Sequence, residues 1–311
     1  MVLRLQLILF AIVASLATVD FIWASGGHFD FDARGYGCIA LLTAIFAAVG
    51  MFYDRVRKED RLAAMLIGTS FLLGMSAGFS LLNYLLLTVA GHRIDLPLAA
   101  VDRAIGFDWP ALMALASQHP LVTVIMQLAY ISVLPQIALL VAMLGLLGRH
   151  ERIYSLCLAL SAGAAMCIAV WTVAPSFGAF SVYELPPNVA RHLPLALDGH
   201  YAKSLVSLLA HGPGHISPTD AKGLIGFPSF HAVMALFVVW HAREIAVVRW
   251  FVLSLNSIVL IATPIQGGHH VVDVIAGFAV AALAVLFANR VVRHAAHMHN
   301  EIATEAQPAG I

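Results

Sequence analysis

Long apolar runs constrain this chain most, because several of them are as long as a lipid bilayer is thick. The run from Leu5 to Ala24 contains a single charged residue, Asp20, and about 20 apolar residues form a helix that spans the hydrocarbon core. Only 11% of the residues are charged, against about 25% in soluble domains. The chain is therefore predicted to be an all-α integral membrane protein.

Eight runs of this kind predict about eight transmembrane helices. The first is expected to be a retained helix, because no clear small-x-small cleavage site follows it. Residues 99–117 carry charged groups among apolar ones and are predicted to form a helix along the membrane surface, beside the site. The eight runs are Leu5 to Ala24, Gly37 to Tyr53, Leu62 to Ala90, Leu121 to Leu147, Ile153 to Val173, Pro228 to Trp240, Ile245 to Pro264 and His269 to Val292.

The distribution of basic residues between the loops predicts which side of the membrane each loop occupies. With an inner N-terminus, eleven Lys and Arg residues lie on the inner side and six on the outer side, which agrees with the positive-inside rule. The segments before Pro228 and His269 then face the periplasm or a lumen. Seventeen basic and seventeen acidic residues cancel, so no nucleic-acid partner is predicted.

Two polar segments stand at the starts of the sixth and eighth runs, on the same predicted face of the membrane. The first is Gly226 to His231. There Pro228 is expected in the first helical turn, where its missing N–H costs nothing, with Ser229 as a helix cap. A helix start of this kind attracts anions, and phosphate above all.

The second polar segment is Gly267 to Asp273, in which His269 and Asp273 are four residues apart. That spacing places both side chains on one helix face, so the carboxylate can hold one ring nitrogen and leave the other free. One histidine with such a partner, and His231 without one, suggest a nucleophile and a general acid. A metal site built from His231, His269, His270 and Asp273 is the alternative.

At these residues the sequence resembles the type 2 phosphatidic acid phosphatase superfamily, which carries Pro-Ser-Gly-His and His-x-x-x-Asp motifs. Here they read Pro228-Ser229-Phe230-His231 and His269 to Asp273. The resemblance implies that His269 attacks phosphorus, Asp273 orients it and His231 protonates the leaving oxygen, without cofactor or metal. It also implies a six-helix phosphatase-type bundle in the C-terminal part, and a lipid substrate.

The departures from the family pattern concern the phosphate-binding groups. The basic motif Lys-x6-Arg-Pro is absent, and Ala262 and Thr263 stand where Ser-Arg is usual. Phe230 and Thr263 resemble the inositol phosphorylceramide synthase branch, which transfers a phosphoinositol headgroup to an alcohol acceptor. Ser229 and Thr263 are predicted to bind phosphate, together with cations that replace the missing motif; these are Arg191, Lys203 and Lys222, with Arg103 as a weaker candidate.

The predicted organisation is an N-terminal helix pair (1–61), a catalytic core (62–293) and a polar cytoplasmic tail (294–311). Within the core, residues 175–227 are predicted to lie outside the membrane. This segment is hereafter called the lid, because loops of this length tend to be functional.

A lipid phosphate phosphatase is the second hypothesis within the enzyme class. A proton or metal transporter is the alternative from another class; it is disfavoured because the middles of the runs lack ionisable groups. A catalytically inactive scaffold of the same fold is the third alternative.

Overall fold

The chain folds almost entirely into helices, as a computed structural model describing residues 2–27 and 29–305 shows. This confirms the predicted all-α membrane class. The helices are α1 (Val2–Gly26), α2 (Ala33–Phe52), α3 (Asp60–Leu86), α4 (Asp95–Ala104), α5 (Trp109–Ser117), α6 (Pro120–Ile131), α7 (Val133–Leu146), α8 (His150–Val173), α9 (Pro187–Ala190), α10 (Gly199–His211), α11 (Phe230–Ala242), α12 (Arg249–Gln266) and α13 (Val271–Glu305). Two short strands are β1 (Asp30–Phe31) and β2 (His215–Ile216).

Six of the described helices are long and apolar enough to cross a membrane, namely α1, α2, α3, α8, α12 and α13. A seventh span is obtained if the sharply bent pair α5 and α6 counts as one. By helix length and composition, the described part of the chain therefore has six or seven membrane-spanning helices, fewer than the predicted eight. The two predicted runs without a helix of that length are Leu121 to Leu147 and Pro228 to Trp240.

Local sequence explains both shortfalls. The run from Leu121 divides into α6 and α7 at Ser132, three residues before Pro135, whose missing N–H cannot bond the carbonyl of Ile131. The polar groups at this break bond one another: Gln136 donates to Ser132 Oγ and accepts from Asn256. Helix α11 has 13 residues, so it is ~20 Å long where a bilayer core measures ~30 Å.

The predicted surface helix at 99–117 is in fact two helices. Helix α4 ends at Ala104 and α5 begins at Trp109, with Gly106 between them in a left-handed conformation at φ +83°. Glycine adopts that conformation at no steric cost. Helix α5 then meets α6 at a bend of 113°, so α5 does not prolong the axis of α6. Helix α4 packs against the start of α13, in the predicted position beside the site.

Helix α8 forms the centre of the bundle. Tyr154 and Trp171, at its two ends, have no exposed surface, and the main core cluster joins its residues to those of α1, α3, α7, α11 and α13. Gly74 and Gly78 lie against Val13 and Leu16 of α1, so these small residues let α1 and α3 approach closely.

The lid is partly helical, because it contains α9 and α10. Strand β2 within it pairs in parallel with β1, which follows the first helix. His215 of the lid also lies 2.9 Å from Asp30, between Nδ1 and Oδ2. The lid is thus attached to the N-terminal helix pair. Helix α13 extends through most of the predicted polar tail, and residues 306–311 of that tail lie outside the described part of the chain.

Candidate active site

Both polar segments open onto one large cavity of about 890 Å³. His231, His269 and Gly267 line it at one end, together with Tyr130 and residues of the lid. The rest of its wall is mainly apolar and comes from α3, α7 and α8; it includes Leu72, Leu73, Leu134, Ile137, Val141, Leu160 and Ile168. The cavity therefore combines polar residues of the two segments with an apolar wall from membrane helices.

Helix α11 begins beside the histidines, and its start has free hydrogen-bond donors. Ser229 is the N-cap: its Oγ accepts from the N–H of Ala232, as the sequence predicts. Pro228 differs from the expectation, because it precedes the cap and so lies outside the first turn. The N–H groups of Phe230 and His231 have no acceptor within the described part of the chain. They are available to an anion.

His269 is held between Asp273 and Ser229. Its Nδ1 lies 3.2 Å from Asp273 Oδ2, and its Nε2 lies 3.4 Å from Ser229 Oγ. His269 stands two residues before α13, so the pairing forms across the helix start and not along a helix face as expected. Burial lowers the pKa of His269 to about 4, although a contact with the Gly226 carbonyl acts in the opposite direction. The imidazole is therefore neutral at pH 7 and its nitrogen lone pair is available.

His231 lies within the first turn of α11 and faces the same cavity. Its ring stacks on the ring of Tyr130, with centroids 4.2 Å apart and planes 13° from parallel. No carboxylate holds this imidazole in the described part of the chain. The aromatic stack fixes the ring plane while leaving the proton-carrying edge free.

The lid begins with a loop that touches both polar segments. The N–H of Gly226 donates to Ser176 O, and the N–H of Ala179 donates to Gly268 O. Gly268 has φ +61° and faces the Phe180 ring so closely that a Cβ would overlap it, which requires glycine here. This loop sets the distance between the two segments.

Two buried aspartates of α4, which the sequence did not identify as site residues, support the arrangement. Asp95 Oδ1 accepts from Ser176 Oγ at 2.8 Å and from the N–H groups of Phe177 and Gly178 at 2.7 and 3.0 Å. Asp102 accepts from the first turn of α13. The one sequence signal was their seven-residue spacing on a helix whose remaining residues are apolar except Arg103; this spacing places both aspartates on one face.

The predicted phosphate-binding residues separate into two groups. Ser229 and Lys222 lie at the site, and Lys222 is the only Lys or Arg among the cavity-lining residues that the structure describes. Its Nζ donates to Ser204 at 2.7 Å and lies 5.8 Å from the Tyr201 ring centroid. The backbone N–H of Lys222 also donates to Tyr84 Oη, which anchors this part of the lid.

The other predicted phosphate ligands do not reach the cavity. Thr263 is fully buried and donates its hydroxyl to Val259 O in its own helix. Arg191 bonds the Pro187 carbonyl at the end of α9, and Lys203, 70% exposed, pairs with Glu184. Arg103, the weaker candidate, donates to Tyr183. Each of these side chains is held by a partner outside the cavity that the sequence pattern does not show.

The metal alternative is not supported by the geometry. Within residues 2–27 and 29–305, no three His, Cys, Asp or Glu side chains are grouped as metal ligands. His270, one of the four residues considered, has no exposed surface and does not line the cavity. Three histidines of the lid have partners elsewhere: His192 bonds Asn188 O and His211 bonds Ser207 O within the lid, and His215 pairs with Asp30 beyond it.

Two histidine-bearing helix starts thus lie at one cavity of an all-α membrane protein. The family model of the PAP2 superfamily matches residues 96–287, from α4 into α13. The chain belongs to this superfamily, since the match covers more than half of its length. Members are phosphatases and phosphotransferases, so membership supports an activity of that type. Comparisons with curated proteins and with solved structures gave no match.

Proposed function

We propose that this protein transfers a phosphoryl or headgroup-phosphoryl group of a membrane lipid through a phosphohistidine on His269. The observation that carries the proposal is the placement of His269 between Asp273 and the start of α11, facing an apolar cavity. Asp273 holds Nδ1, so Nε2 is the atom that attacks phosphorus. The free N–H groups at the start of α11 and the ammonium group of Lys222 then donate hydrogen bonds to the phosphate oxygens.

Each bond change in the reaction has a side chain to assist it. The lone pair of His269 Nε2 forms the N–P bond while the bond from phosphorus to the leaving oxygen breaks. His231 gives its proton to that oxygen. In the second step, water or an alcohol attacks phosphorus, returns a proton to His231 and restores the free imidazole. Asp273 stabilises the imidazolium character that His269 acquires during each transfer.

Headgroup transfer is the finer form of the proposal. Phe230 and Thr263 stand where the inositol phosphorylceramide synthase branch differs from the monoester phosphatases, which favours an inositolphosphotransferase-like reaction with an alcohol acceptor. The lid contributes Ala196 to Asp198 and Ala221 to Gly226 to the cavity wall, and a cover over the phosphohistidine protects it from water. Simple hydrolysis of a lipid monophosphate or pyrophosphate is the second form. In either form the site faces the periplasm or a lumen.

A lipid panel tests the proposed function. Purified full-length protein in mixed micelles is given phosphatidic acid, a lipid pyrophosphate, or phosphatidylinositol with a lipid alcohol. We expect a new inositol-phosphate lipid from the third mixture. Release of inorganic phosphate from the first two would support the phosphatase form instead. Folded protein that gives neither product and carries no acid-labile phosphate on histidine would overturn the proposal.

Replacing Lys222 should weaken catalysis much more than replacing Lys203. A charge-assisted hydrogen bond contributes roughly 1.5–3 kcal/mol, so Lys222→Ala is expected to lower kcat/KM about 10- to 100-fold. Lys203→Ala is a matched control from the same lid, because its exposed ion pair with Glu184 does not line the cavity. It should change kcat/KM by less than about fivefold.

The charge at Lys222 can be separated from its packing on Tyr201. Lys222→Arg keeps the charge and should retain most of the activity, whereas Lys222→Met keeps much of the apolar stem and should behave like the alanine variant. Equal losses for the Lys222 and Lys203 alanine variants would show that Lys222 does not neutralise the phosphate.

A further inference from the structure

The start of α13 is capped by a side chain from another helix. Asp102 of α4 is 3% exposed. Its Oδ2 accepts from the N–H of Val271 at 3.0 Å, and its Oδ1 accepts from the N–H of Val272 at 3.1 Å. Both oxygens of one buried carboxylate are thus bonded to the first turn of the helix that follows His269.

This arrangement replaces a local cap that the sequence lacks. The residue before α13 is His270, whose side chain is not one of the short oxygen-bearing types that cap helices. Its backbone N–H donates to Asp273 Oδ2 at 2.9 Å, the oxygen that also faces His269 Nδ1. Because Asp102 holds the turn that carries Asp273, it determines where the orienting carboxylate of His269 lies.

Asp102 also has a contact with the neighbouring histidine. Its Oδ2 lies 3.4 Å from His270 Nδ1, and the His270 ring has no exposed surface. Two His–Asp pairs therefore stand side by side, His269 with Asp273 and His270 with Asp102. Of these four residues only His269 lines the cavity, so the second pair acts on the position of the turn and not on substrate.

The carboxylate has an electrostatic consequence as well. Two helix starts, those of α11 and α13, meet at the site, because the N–H of Ser229 donates to Asp273 O. Either start would attract a phosphate. Asp102 satisfies the first N–H groups of α13 and places a negative charge there, while Phe230 and His231 of α11 keep free N–H groups. The anion is thereby directed to α11, opposite the attacking nitrogen.

We propose that Asp102 is a positioning residue: it fixes the first turn of α13 so that Asp273 and His269 face Ser229, and it keeps phosphate off the α13 start. The proposal rests on the proposed phosphohistidine function. It predicts that losing Asp102 lowers the rate of chemistry more than the binding of lipid, because the substrate contacts of the cavity and of α11 remain in place.

Asp102→Ala is compared with Asp108→Ala, a matched control that removes an aspartate cap from the neighbouring helix α5. Replacing a residue that orients a site ligand commonly costs about 10- to 100-fold, so kcat of Asp102→Ala should fall by that factor while KM changes less than about threefold. Inhibition by inorganic phosphate should strengthen, since the vacated N–H groups attract it. Asp108→Ala should resemble wild type in all three quantities.

Asp102→Asn keeps the test decisive if Asp102→Ala does not fold. Asparagine accepts one of the two N–H groups, so its kcat should lie between those of wild type and the alanine variant. Wild-type kcat and wild-type phosphate inhibition in Asp102→Asn would overturn the proposal, as would equal losses in Asp108→Ala. Failure of the proposed phosphohistidine function would give a different result: the wild-type protein itself would turn over no lipid of the panel.

Discussion

His269→Ala is expected to show no measurable turnover, whereas His270→Ala should be slower than wild type but still measurably active. His269 lines the cavity and has one nitrogen held by Asp273 and the other facing Ser229. Without it, no atom can form the covalent bond to phosphorus. The His270 side chain pairs with the supporting Asp102 and does not line the cavity, so its loss should cost about 10- to 100-fold, as for residues that orient a site ligand.

The measurement combines steady-state turnover with trapping of phosphoprotein from a labelled lipid. Wild type and His270→Ala should both accumulate label that is acid-labile and stable to base, as a phosphohistidine is; His269→Ala should accumulate none. An inactive His270→Ala beside an active His269→Ala would reverse the assignment of the nucleophile.

His231→Ala is expected to lose about 10²–10⁴-fold in kcat when the leaving group is a lipid alcohol, which is the usual contribution of general acid catalysis. With a p-nitrophenyl phosphate ester of the same headgroup, most of that loss should vanish, because p-nitrophenolate departs without a proton. His231 lies in the first turn of α11, faces the cavity and has its ring plane held by Tyr130. That placement suits a proton donor.

His269→Ala serves as the reference in this experiment, since it should be inactive with both leaving groups. The ratio of the two losses for His231→Ala is the decisive quantity. If His231→Ala lost the same factor with both substrates, the imidazole would be binding the phosphate and not protonating the leaving oxygen.

Local features of the site were predictable because they depend on neighbouring residues. The apolar runs predicted helices, and the Ser229 cap and the pairing of His269 with Asp273 follow from residues within one turn. The exact register was less predictable. Pro228 precedes the helix, and His269 precedes α13, because sequence types that favour a helix start occur on both sides of it.

Contacts between distant segments could not be predicted. Asp95 and Asp102 reach their partners across about 80 and 170 residues, and no periodicity in a single helix reports such a partner. The prediction of the phosphate-binding cations was only partly correct for the same reason: Lys203 pairs with Glu184, whereas Lys222 lines the cavity. Their charge is identical in the sequence, and only the fold of the lid distinguishes them.

The bond from Ser229 N–H to Asp273 O has a consequence for how the protein is made. The ribosome delivers His231 with α11, but His269 and Asp273 emerge some forty residues later, at the start of α13. Until that helix enters the bilayer, the start of α11 lacks its acceptor and Asp102 has no helix to cap. The proposed site is thus complete only after α13 has inserted, so a chain that stalls before that point lacks the proposed nucleophile and its carboxylate.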